Sequence, residues 1–180
     1  MDEGLRSLPI ASFHDGENYI VANYSVGLMP SLSLSDMRHI DLKDAQVLAM
    51  GASQFTDQTP LPAAPLELSL ITEQLWSGEA FLNDQFTIDN LIRSRASRSY
   101  RIVHFATHGE FTSGTPSNSY IQMSDSRLGL DKIRELSLHN PTVELLVLSA
   151  CRTALGDKQA ELGFTGLACL LYTSPSPRDS

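Results

Sequence analysis

Two side chains in this sequence of 180 residues have the type and the setting for covalent chemistry. "RIVHFATHGE" delivers His108 at the end of an apolar run, followed at once by Gly109, and "ELLVLSAC" delivers Cys151 at the end of another. An apolar run of this kind is suited to the interior of a sheet, and in an open parallel sheet ligands bind outside the carboxyl ends of the strands. The stretch between the two residues has room for one crossover containing a strand and a helix, so neighbouring parallel strands would bring the imidazole and the thiol together. A Cys–His pair supports nucleophilic catalysis: the thiolate attacks a carbonyl carbon and the imidazole manages the proton that the leaving amine needs. A nearby imidazolium, or the N-terminus of a helix beginning after "CRTALGD", would favour the thiolate. The backbone N–H groups of Gly109 and Cys151 are the natural donors to the oxyanion, because the missing side chain of Gly109 lets a substrate approach its amide. The implied reaction is acyl transfer from a peptide.

Each residue also has a plain structural reading. Free cysteine is among the most buried residue types, and a histidine at a strand end often serves only as a hydrogen-bonded structural group. The matching placement of the two is what favours chemistry. His104, four residues before His108 and on the same face by alternation, is expected in the core. It is a poor metal ligand because no Cys/His/Asp cluster with zinc-like spacing accompanies it. Cys169, within "GLACLLY", is expected as helix core, and Asp157 and Glu161 as solvated residues. Neither "GASQFTDQ" nor "ELGFTGLA" matches a phosphate-cradling loop. No metal and no cofactor is expected.

The elements that must position His108 and Cys151 follow from the apolar pattern. Short β-like runs alternate with longer helix-like ones, which favours a mostly parallel sheet covered by helices, an α/β fold. Strands are expected over 18–29, 45–52, 100–108, 119–124 and 143–150, and helices over 66–76, 87–97, 130–138 and 162–172. Thr87 is placed to cap the second helix, and Pro141 separates the third from the next strand. "FTDQTPLPAAP" (55–65) reads as a Pro-rich connection and "EFTSGTPSNS" (110–119) as a polar loop in the right place for function. A composition 42% hydrophobic and 19% charged is ordinary for a globular domain with one sizeable core. A formal charge of -8 without a Lys/Arg run argues against nucleic acid as a partner. No stretch approaches the ~20 apolar residues that span a bilayer, and the start lacks the basic-then-apolar order of a signal peptide, so a cytoplasmic protein without membrane contact is expected. Two cysteines alone suit a reducing compartment.

These motifs resemble the CHAT domain family, caspase-like domains often attached to tetratricopeptide repeats in bacterial proteins. "GLRSLPIASFHDGENYIVANYSVGLMPS" is similar to the family's opening block and "LPAAPLEL" to its linker. "VHFATHGEF" is similar to its histidine motif, and "LVLSACRTALGD" with "ELGFTGLA" to its cysteine motif and following helix. The resemblance implies a caspase-like three-layer α/β/α fold around a mostly parallel sheet. It maps the catalytic histidine onto His108 and the nucleophile onto Cys151. Family members continue past the "GFTGLA" helix with a further strand and more helices, so residues 1–172 are expected to be a CHAT domain with its C-terminal part missing. The tail 173–180, with Pro175 and Pro177, resembles translated adaptor sequence and is excluded from the fold.

Two functions of different class follow. One is a cysteine endopeptidase that cleaves a protein substrate under the control of tetratricopeptide repeats in the same or a partner chain. The other is a non-catalytic interaction or signalling module that keeps the fold, since a fold does not establish an activity. A Cys–His acyltransferase would use the same pair, but no acyl-carrier or coenzyme signal supports it.

Overall fold

Strands with apolar residues on both faces need cover on both faces, and the computed structural model of the chain provides it. The model describes residues 8–26, 39–110, 118–136 and 138–150. The chain divides into two units, Met1–Met37 and Arg38–Ser180.

The second unit holds the strands β1 (Val47–Gly51), β2 (Gly78–Leu82), β3 (Ile102–Ala106), β4 (Gly109–Glu110), β5 (Tyr120–Gln122), β6 (Arg127–Gly129) and β7 (Leu145–Ser149). Four of them form a sheet in the order β2-β1-β3-β7, every pair parallel. The other three form a small antiparallel sheet in the order β4-β5-β6. In the parallel sheet the side chains alternate between two apolar clusters. Val47, Ala49, Ile102 and Ala106 pack with Ala64 and Leu68 of a helix over Ala64–Leu70. Leu48, Met50, Val103 and Phe105 pack with Leu91 of a second helix, Ile88–Ser97, and with Ile121 and Leu128 of the small sheet. Helices therefore cover both faces, which makes a mixed α/β fold of the caspase-like kind. Each large aliphatic or aromatic side chain so buried is worth about 1.5–3 kcal/mol.

The cores of β1, β3, β5 and β7 sit inside the expected ranges, trimmed at their ends, while β2, β4 and β6 fall outside every expected strand. The expected helix over 66–76 starts two residues earlier, at Ala64 with Pro65 in its first turn, and finishes as a turn of π-helix over Ile71–Leu75. The helix Ile88–Ser97 is capped as expected: the Asn90 N–H donates to Thr87 Oγ1 at 3.2 Å. The expected helix over 130–138 is a 3₁₀-helix, Leu130–Leu136. Its buried residues Leu130, Ile133 and Leu136 recur every third position, which aligns them on one face of a helix with three residues per turn. The expected helix over 162–172 and the tail 173–180 lie outside the described residues.

Two differences have clear causes. The strand expected over 18–29 is a helical turn, Ile20–Asn23, in the first unit, and residues 27–29 lie outside the described residues. An isolated bridge between His14 and Tyr19 and the Asp15 carboxylate, accepting from the Glu17 and Asn18 N–H groups at 2.8 Å each, fold the chain back just before it. With no strand partner among the described residues, Ala22 and Tyr24 satisfy their amides locally, on the Tyr19 and Ile20 carbonyls. The edge strand β2 went unanticipated because "GEAFL" is short and only half-buried or exposed throughout. Its Gly78 is required by contact, since a Cβ there would collide with the Val47 carbonyl oxygen.

Among the described residues no helix is long and apolar enough to cross a membrane.

His104 joins the sheet to its helix layer. It is buried in β3, as expected, with Nε2 2.9 Å from Glu67 Oε1 on the helix above. Burial holds its imidazole below the ordinary 6.5, and the Glu67 carboxylate offsets part of that. The native state thus takes up this proton at lower pH than the unfolded chain does, so this residue lowers stability as pH falls below about 6.5. Urea unfolding at pH 7.5 and 5.5 is expected to show a loss at the lower pH that is smaller in His104→Gln.

Candidate active site

The strand order reverses at β1. The chain adds β2 on one side of it and then returns to add β3 on the other. Connections leaving the carboxyl ends of two strands part at such a point and leave a crevice. Here the connections are the segment after β1, which carries Phe55 and Thr59, and the segment after β3, which carries His108.

The first of these is pinned at three places. Ala52 N–H donates to the Ala106 carbonyl at 3.1 Å, and Leu61 N–H to the Ser53 carbonyl at 3.0 Å. Ser53 donates its N–H and its hydroxyl to Asn83 Oδ1 at 2.8 and 3.1 Å. Asn83 directly follows β2 and has a φ of 52°, the left-handed region in which asparagine is tolerated better than most residues.

The pinned segment holds the histidine. His108 Nε2 lies 2.7 Å from the Thr59 carbonyl oxygen. A carbonyl only accepts, so Nε2 is the donor and carries the proton. In the neutral ring Nδ1 is then the nitrogen with the free lone pair, the one able to take a proton from a thiol. Phe55 closes on the same ring edge-on, with centroids 4.7 Å apart.

Gly109 is presented by the small sheet. Gln122 N–H donates to the His108 carbonyl at 2.9 Å, and Gly109 and Glu110 stand opposite Ile121 and Tyr120. In an antiparallel ladder the residue between two hydrogen-bonded pairs turns its N–H and C=O away from its partner strand. The Gly109 N–H therefore points away from β5.

The fourth parallel strand completes the geometry. Ala106 stands opposite Ser149, and Thr107 N–H donates to the Ser149 carbonyl at 3.0 Å. His108 follows Ala106 by two residues, and Cys151 follows Ser149 by two. The register thus runs to the last described residue before the cysteine. Cys151 itself lies outside the described residues, as do Asp157, Glu161 and Cys169. Among the described residues no group of three or more His, Cys, Asp or Glu could hold a metal ion.

Several supporting residues escaped the sequence reading. Thr59 acts through its backbone, so its residue type carries no signal. Asn83 is visible only as an Asn between a strand and a 3₁₀ turn. Arg95, whose guanidinium is buried and donates to the Leu136 and Pro141 carbonyls, ties the second helix to the connection that enters β7.

A four-stranded parallel sheet covered by helices is a mixed α/β architecture consistent with the caspase-like fold. The model of the CHAT domain matches residues 1–173, and the chain belongs to that family. No curated protein matches the sequence.

Asn83 sets the segment that orients His108, so Asn83→Ala is expected to lose about 2 kcal/mol in urea unfolding, from two orphaned donors on Ser53 and a left-handed backbone that alanine tolerates less well than asparagine. Asn83→Asp keeps the acceptor and is expected to lose less.

Proposed function

We propose that this domain is a cysteine endopeptidase of the caspase-like type, with Cys151 as nucleophile and His108 as its base. The observation that supports this reading best is the His108 ring, held by the Thr59 carbonyl with its Nδ1 lone pair free, on a strand whose register with β7 leads to Cys151 at the same offset. Nδ1 takes the thiol proton as sulfur attacks the carbonyl carbon of the scissile peptide. The oxyanion is met by the Gly109 N–H and by that of Cys151, each worth about 3 kcal/mol when aligned. As the C–N bond breaks, the imidazolium returns its proton to the leaving amine. Water, deprotonated by the same imidazole, then attacks the thioester and releases the acid and the thiol.

The substrate in this proposal is a protein, and tetratricopeptide repeats in the same or a partner chain gate access to the site. The enzyme works in a reducing compartment, the cytoplasm, where the thiol stays free.

Because the two residues act as one unit, Cys151→Ala and His108→Ala in the complete domain are each expected to abolish cleavage of a peptide library, and the double variant to cost little more than either. Cleavage that persists undiminished in Cys151→Ala would overturn the peptidase reading and leave an interaction module in its place.

A further inference from the structure

The small sheet has two unlike faces. Ile121 and Leu128 turn into the apolar core and are buried. The residues that alternate with them are polar: Glu110 opposite Tyr120, and Gln122 opposite Arg127. The bond from Gln122 N–H to the His108 carbonyl carries the ladder one residue further and sets His108 opposite Gln122. His108 and Glu110 are therefore two positions apart on one extended strand and share its face. That spacing separates their Cβ atoms by about 7 Å.

The charges on this face are not equivalent. Arg127 is occupied, with its guanidinium 4.4 Å over the centre of the Tyr120 ring and its Nε 3.3 Å from Gln122 Oε1. It stands two strands away from His108. Glu110 is half-buried and next to the histidine. The Tyr120 hydroxyl donates to Glu110 Oε2 at 3.0 Å and so fixes the carboxylate in place. No ion pair to Glu110 occurs among the described residues. A carboxylate two positions from the histidine on the same face, held by a neutral donor and without an ion-pair partner among the described residues, is a group that a cation of the substrate can pair with. The chain's charge of -8 acts in the same direction by drawing basic peptides toward it.

We infer that Glu110 selects a basic residue, lysine or arginine, next to the bond that His108 and Cys151 cleave. The inference rests on the peptidase reading above and adds the substrate class to it.

The test uses the full chain and three peptidyl acyloxymethyl ketones that differ only in the residue joined to the electrophile: arginine, leucine or aspartate. Labelling of Cys151 is followed by intact mass and peptide mapping. The arginine probe is expected to label at least ~10-fold faster than the leucine probe, a ratio equivalent to about 1.4 kcal/mol, with the aspartate probe slowest. Glu110→Gln keeps an acceptor for the Tyr120 hydroxyl and is expected to bring the arginine and leucine rates together without slowing leucine. Glu110→Lys is expected to favour aspartate over arginine. Equal arginine and leucine rates in the parent chain, or an arginine preference that survives in Glu110→Gln, overturn the inference and leave the peptidase reading intact. If no probe labels Cys151 while the chain shows its native melting transition, both are overturned.

Discussion

The candidate site depends on Ala106. In the parallel ladder it stands between Gly51 of β1 and Ser149 of β7, so this one residue sets the level at which three strands end. Its carbonyl accepts from Ala52 N–H, and the next amide, that of Thr107, donates to the Ser149 carbonyl. Gly51 passes close to the same carbonyl: a Cβ there would collide with the Ala106 oxygen, so a side chain would push the β1 connection away from the end of β3. Everything that touches His108 follows from this alignment. The connection after β1 brings up Thr59 and Phe55, the chain after β3 supplies the ring, and β7 leads on to the cysteine.

A second constraint concerns the protons and partners of the histidine. The Thr59 carbonyl reaches Nε2, and a carbonyl offers no proton, so the backbone alone decides which ring nitrogen is the acceptor. The small sheet then turns the same strand from apolar to polar use. Gly109 directs its N–H away from β5, while Glu110 and His108 share the face opposite the one that Ile121 and Leu128 bury. Core packing on one side of β4 and β5 thereby orients the polar groups on the other.

Much of this was legible in the sequence. The apolar runs 47–50 and 102–106 identified the central strands β1 and β3 because burial on both faces leaves no alternation to misread, and the run 145–148 identified β7, which is half-buried along its length. His108 stood out by its position at the end of such a run, and His104 as a core residue by its position within one. What was not legible depends on groups with no side-chain signature or on distant contacts. The Thr59 carbonyl is backbone. Asn83 matters through a left-handed turn and two bonds to Ser53. The segment 20–23 was misjudged because β-branched and aromatic residues make a strand only where another strand is available to pair. The edge strand β2 was missed because "GEAFL" carries only a short apolar stretch, where β7 has the continuous run Leu145–Leu148.

The central claim is that the register of β3 and β7 sets His108 beside Cys151. The rate of Cys151 alkylation by iodoacetamide at pH 6.5, in the parent chain and in His108→Ala, tests it directly. An adjacent imidazole favours the thiolate, so the account predicts a rate at least ~10-fold lower in the variant at that pH, with the two rates converging at pH 10, where the thiol ionises unaided. Equal rates at pH 6.5 in two chains with the same melting transition would contradict the pairing.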